Sequence, residues 1–156
     1  MQDLDLATLR SVILSQHKSS LLMLRDAIAK FPAELWISDG HTNAPWQIAY
    51  HTLFFAEYYV RPRWEDYTPW LTHGVEVQVP DGIPGPPDPN STLPLIPDPF
   101  TQEQCLSYVD HLLEQLPQVI EEMDITNPES GFWYTCSKLE HQIVTIRHNQ
   151  HGAAQL

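Results

Sequence analysis

The last segment of the chain reads IRHNQHGAAQL, and its two imidazoles, His148 and His151, lie three residues apart. At 100° per residue on a helix they sit about 60° from one another, so both can reach one point. A third imidazole, His51, stands in WQIAYHTLFF with Ile48, Phe54, Phe55 and Tyr58 around it. Burial there is unavoidable, and a buried imidazole needs a hydrogen-bond partner or an ion. One histidine from one helix and a pair from another would supply three nitrogens and leave a coordination position open. That set suits a catalytic Zn²⁺, and imidazole suits Ni²⁺ or Fe²⁺ as well. A divalent ion held there would act as a Lewis acid, lowering the pKa of bound water to about 7 or stabilising a thiolate. Against this stands a plainer reading. Leu139, Ile143 and Ile146 lie on the opposite side of the last helix. If that side alone faces the core, His148 and His151 are only solvated.

The other histidines divide by position. His141 shares the side of His148 but lies two turns away, about 10 Å along the axis, too far to share an ion directly. His17 interrupts an apolar stripe, so it points inward, either as a hydrogen-bonded core histidine or as a fourth ligand or supporting partner. His111 falls opposite an apolar face and is expected at the surface; His41 and His73 are in loops. Other catalytic templates are poorly served. Cys136 lies beside a helix start, which lowers a thiol pKa, but no base is oriented toward it. The chain has no Gly-rich phosphate loop, no G-x-S-x-G and no H-E-x-x-H. The paired Glu-x-x-His of di-iron bundles is also missing.

Four helical segments must position these groups. The first is expected from about Leu4 to Ala29, with Leu6, Leu9, Ile13, His17, Ser20, Leu24, Ala27 and Phe31 on one face and Pro32 as its stop. The second opens at TNAPW, with Asn43 as N-cap and Pro45 in the first turn. It is apolar on nearly every side, the mark of a helix buried all round, and should end near Arg61-Pro62. Residues 69–99 hold nine of the fourteen prolines. No helix survives that density; a short strand around VEVQV fits, and so long a connection is expected to be a lid or a crossover. The third helix starts at Thr101, which forms a capping box with Gln104. Its inner face is expected to be Leu106, Val109, Leu113, Leu116, Ile120 and Met123, with a kink at Pro117. Ser137 and Glu140 give a second capping box, opening a fourth helix from about Lys138 to the end. The expected architecture is all-α, one four-helix bundle domain over residues 1–156 with a long Pro-rich crossover between helices 2 and 3.

Composition narrows the partners. At 156 residues one domain is the natural expectation, and a chain of this length needs no disulfide or metal merely to fold. The net charge is −12, with only 8 Lys and Arg, which disfavours nucleic acid and anionic membranes. No run of 18 apolar residues appears, so no membrane span is expected. Cys105 and Cys136 make no disulfide framework. With an N-terminus, MQDLDLATLR, that lacks a signal-peptide core, they point to a reducing, cytoplasmic setting.

Three stretches carry a resemblance to the DinB-like (YfiT-related) family of metalloenzymes. NAPWQIAYHTLFFAEYY resembles the family's second helix, with Asn43, Trp46, Gln47 and His51 at the expected intervals. SGFWYTCSKLEHQI resembles its approach to the last helix. RHNQHGAAQL resembles its closing signature, which in many members reads like R-H-x-Q-H-H-A-A-Q-L. With the Pro-rich crossover the likeness covers most of the chain, and the motifs, each short, are fairly specific in this order. The resemblance implies a four-helix bundle and a divalent ion on three histidines, one matching His51 and two, four apart, from the last helix. The first of that pair matches His148; the second would fall at position 152, where this chain has Gly152. His151, one residue away, can substitute if the helix rotates or its rotamer reaches round. Otherwise His51 and His148 are left with water, His17 or Glu57 to complete the set. The resemblance further implies a homodimer and a metal-dependent transferase or hydrolase acting on a small molecule, in some relatives with a low-molecular-weight thiol. Trp46, Tyr50 and Trp133 would then line the pocket, or simply pack the core. The competing reading is a non-catalytic dimeric bundle whose site is degenerate at Gly152.

Overall fold

The computed structural model describes residues 5–38, 43–65 and 99–156. Within them the chain forms α1 (Leu6–Lys30), a 3₁₀ turn (Ala33–Leu35), α2 (Pro45–Tyr58), α3 (Gln102–Glu122) and α4 (Lys138–Gln155). No strand occurs among the described residues. The fold is a four-helix bundle. α1 and α2 each pack against both α3 and α4, so the helices run around the bundle in the order α1, α3, α2, α4. No helix of the described residues is long and apolar enough to cross a membrane. The Pro-rich connection, the VEVQV stretch, His41 and His73 lie outside the described residues.

Each helix begins and ends for local reasons. Asp5 caps α1, its Oδ1 accepting from the Thr8 N–H at 2.7 Å. Pro32 stops α1, and Gln102 donates to the Ile28 and Phe31 carbonyls left open at its end. Thr101–Gln104 and Ser137–Glu140 form the two expected capping boxes, at α3 and α4. The expected cap at Asn43 is corrected. Ala44 holds the N-cap position, and with no side-chain acceptor there the Gln47 Oε1 takes the Ala44 N–H at 2.8 Å. α2 also stops at Tyr58, three residues short of Arg61. α3 runs on through Pro117, which has no N–H to give to the Leu113 carbonyl.

The apolar core gathers on the α1–α3–α2 side. Ile13, Leu21, Leu24 and Ile28 of α1 face Tyr108, Val109, Leu116 and Ile120 of α3, and Trp46, Ala49, Tyr50 and Leu53 of α2 fill the space between. Tyr50 stacks on Phe100 with ring centroids 4.4 Å apart, and the Trp36 indole donates to the Phe100 carbonyl at 2.7 Å. Trp46 and Tyr50 are thus core residues. The inner face of α3 is turned slightly from expectation: Cys105, Tyr108 and Leu112 are buried, while Leu106 and Leu113 are half-buried. At the far end, Gly131 adopts φ +82°, where a Cβ would strike the Pro62 carbonyl. Beside it the buried Lys138 ammonium donates to the carbonyls of Arg61, Pro62 and Ser130.

Candidate functional site

α4 does not bury its apolar side. Ile143 and Val144 are exposed and Leu139 is half-buried, whereas Lys138, His141, Gln142, Thr145, Asn149 and Gly152 face inward with Ile146. The alternative in which the side of Leu139, Ile143 and Ile146 alone faces the core does not hold: Ile146 is buried and Leu139 packs half-buried against the core, but Ile143 is exposed. The physical reason lies on α1. His17 and Ser20 interrupt its apolar stripe and offer polar partners across the interface. His17 Nε2 meets Gln142 Oε1 at 3.1 Å. Ser20 donates its hydroxyl to the His17 carbonyl at 2.8 Å and accepts from Asn149 Nδ2 at 3.2 Å.

His51 and His148 come together across the α2–α4 interface, their Nε2 atoms 3.2 Å apart and their rings edge to face. Phe55 lies against both rings, at centroid distances of 4.7 and 5.6 Å, and Tyr59 lies 6.1 Å from His148. Burial, then the charge of His148, pushes the His51 pKa down to about 3; burial, then His151, pushes that of His148 down to about 4. Both rings are neutral at neutral pH, the state in which imidazole ligates a metal.

An ion fits this couple in part. Two nitrogens each about 2.05 Å from a tetrahedral Zn²⁺ lie about 3.3 Å apart, close to the spacing found. The same spacing also suits a hydrogen bond from one Nε2–H to the other ring's lone pair. Neither arrangement has support on the far side of the rings among the described residues, where both Nδ1 atoms are buried without a hydrogen-bond partner and ligating histidines usually have one. His151 is exposed and stands apart from the couple, though near enough for its charge to act on His148. Among the described residues no three His, Cys, Asp or Glu side chains converge as a metal-holding group. Of the two residues considered as completing ligands, His17 is engaged by Gln142, and Glu57 pairs with Arg61 at 2.7 Å and accepts from the Tyr108 hydroxyl.

Gly152 explains part of this geometry. A Cβ at this position would lie 2.6 Å from Thr52 Cγ2 and 2.8 Å from its Cβ. The side chain of Thr52, next in sequence to His51, fills the space that a residue at 152 would need. Nearer the start of α4, His141 is fully buried among Phe132, Tyr59 and Tyr134, with centroids at 4.3, 4.8 and 5.4 Å, and among the described residues neither of its ring nitrogens has a hydrogen-bond partner. Burial drives its pKa down to about 3, with smaller contributions from Lys138 and His17. Trp133 is half-buried beside Phe132 and Tyr58, and Cys136 is half-buried. The buried carboxylate of Glu57 was signalled in the sequence only by Arg61, four residues on in the same helix. No protein-family model, curated protein or solved structure matches the chain.

Proposed function

We propose that this chain is a divalent-metal-dependent enzyme of the DinB-like kind acting on a small molecule, with His51 and His148 as the paired ligands of the ion and His151 as the third. The observation that supports it is the meeting of two neutral imidazoles, 97 residues apart in the chain, with their Nε2 atoms 3.2 Å from each other. Neutral rings present their lone pairs without first losing a proton, so binding carries no deprotonation cost near neutral pH. His151 is exposed one turn on from His148 in α4, and would join the set through a rotation of the helix or a change of rotamer. The ion would supply Lewis acidity to a bound water, carbonyl or thiol. Zn²⁺, Ni²⁺ and Fe²⁺ all suit such a donor set. A thiol-dependent transferase or a hydrolase, working as a homodimer, is the form the reading takes.

A second reading rests on a specific contact. Gly152 is sealed against Thr52, so the last helix has no room for a ligand at that position. The His51–His148 couple is then a neutral hydrogen bond in a non-catalytic bundle. Metal analysis of the protein purified without a polyhistidine tag separates the two. The enzyme reading expects close to one ion per chain, lost in His51→Ala and sharply reduced in His151→Ala. Absence of metal, together with an unchanged melting temperature on adding Zn²⁺ or Ni²⁺, overturns it in favour of the second.

A further inference from the structure

His51, Phe55 and Tyr59 follow one another at intervals of four along α2 and its end, so their rings form one stripe on that helix. His148 of α4 packs against all three, with centroid distances of 5.1, 5.6 and 6.1 Å. Phe55 is the middle ring. It lies 4.7 Å from His51, and among the described residues it is the one aromatic ring in contact with both imidazoles. It meets the His51 ring at 57° and the His148 ring at 69°. Phe55 is only 1% exposed, and Phe54, Tyr58 and Tyr59 hold it in turn, at 5.1, 6.1 and 5.0 Å.

This placement answers a geometric requirement of the couple. An imidazole turns about its Cβ–Cγ bond, a torsion with broad, roughly two-fold preferences. A half-turn puts Cε1 where Nε2 stood, and the other ring's nitrogen then faces a carbon. Histidines that share an ion are usually kept from turning by a hydrogen bond at Nδ1. Neither Nδ1 of the couple has such a partner among the described residues, yet the two Nε2 atoms face each other at 3.2 Å. Packing is left to set both torsions. A close-packed neighbour does this because a turning ring sweeps out space that the neighbour must vacate, and the tilted and edge-on approaches of Phe55 are those that aromatic pairs favour. The spacing of the helices is set separately, where Thr52 seals against Gly152.

We propose that Phe55 is the positioning residue of the couple: packed against both imidazoles, its ring holds their torsions so that the two Nε2 atoms face each other, in the role that hydrogen bonds at Nδ1 have in other sites. The role is the same whether an ion or a proton joins the two nitrogens, so it does not rest on the metal reading. Leucine at position 55 keeps the site apolar but has no flat ring to confine the imidazoles.

The test is a long-range ¹H–¹⁵N correlation spectrum of the imidazoles, recorded on the full labelled chain after dialysis against a chelator. It reports which nitrogen of each ring carries the proton. In the parent chain His51 and His148 should each show one fixed tautomer. In Phe55→Leu both should pass to the averaged signals of exchanging tautomers, while His17, held by Gln142 outside the couple, keeps its parent signals. If Phe55→Leu loses native dispersion, Phe55→Met takes its place. Fixed tautomers at His51 and His148 in the variant overturn the assignment, and so does a His17 signal displaced as far as theirs, which is the mark of general loosening. Zn²⁺ titration of the same two chains separates this assignment from the metal reading. A parent that takes the ion should lose at least tenfold in affinity on Phe55→Leu, the ordinary size for a lost outer support, and an undiminished affinity overturns the role of Phe55. A parent that takes no Zn²⁺ overturns the metal reading alone, and the tautomers then decide the role of Phe55.

Discussion

α3 and α4 occupy equivalent places in the bundle, each touching both α1 and α2, yet their inner faces are opposites. α3 presents Cys105, Tyr108, Val109, Leu112, Leu116 and Ile120. α4 presents Lys138, His141, Gln142, Thr145, Ile146, Asn149 and Gly152. The first face draws its stability from apolar area removed from water, at about 25 cal/mol per Å². The second is held by a chain of polar contacts to α1 and α2, and three polar residues on it keep a buried atom without a hydrogen-bond partner among the described residues: His141, Gln142 and Asn149. Such groups cost stability in proportion to their desolvation. In natural proteins local rules are broken in this manner at functional or strained sites.

Acid should break the comparison most strongly, because it attacks only the α4 side. His17, His51, His141 and His148 have folded pKa values of about 4, 3, 3 and 4 against an ordinary 6.5. The unfolded chain therefore binds more protons than the folded one once the pH drops below about 6.5. Stability is full above that value and falls as the pH descends toward 4. For His17 alone the loss is roughly 3 kcal/mol, at about 1.4 kcal/mol for each tenfold change in proton affinity. Urea melts across this range should show the decline, and replacing His17 by Gln should flatten part of it.

The apolar side is tested by Ile120→Ala, which empties a fully packed position on α3. The expected loss is about 2–5 kcal/mol by chemical denaturation, with no dependence on pH between 7 and 5 beyond that of the parent chain. On α4, Gly152→Ala should cost about 1–3 kcal/mol through overpacking against Thr52, even though alanine gains about 1 kcal/mol over glycine in a helix. Thr52→Ala in the same chain should restore part of the loss. The smallest effect has the opposite sign. His141→Phe puts a ring without polar atoms into the pocket formed by Phe132, Tyr59 and Tyr134, and should raise stability by about 1 kcal/mol in the same melts. A loss there would mean that the His141 nitrogens have a partner that matters.

The helices themselves were legible from the sequence because they announce their ends. Thr101 with Gln104, Ser137 with Glu140, and Pro32 each supply a local signal that no tertiary contact needs to override. The burial of His51 could also be read in advance, since a histidine amid aromatic residues has nowhere exposed to go, whereas its meeting with His148 was implied only by the family resemblance and, among the described residues, the structure brings the two together without His151. The inner face of α4 could not be read from hydropathy. Leu139 and Ile143 outrank Gln142 and Asn149 on any apolar scale, but the interface was decided by the match to His17 and Ser20. The usable signal was on the other helix: two polar residues inside an apolar stripe on α1 demand a polar stripe opposite them. Asn43 misled for a related reason, because a side chain from the next turn, Gln47, did the capping instead.

The Lys138 ammonium deserves a last consequence. It is the first residue of α4, and its three acceptor carbonyls belong to the segment leaving α2 and to the turn before α4. Two stretches, one near Lys138 in the chain and one 76 residues away, thus share one cation as their common fastening. Fraying of α4 at its start removes that fastening from the end of α2 at the same moment, so hydrogen exchange should find this pole of the molecule opening as a single cooperative unit.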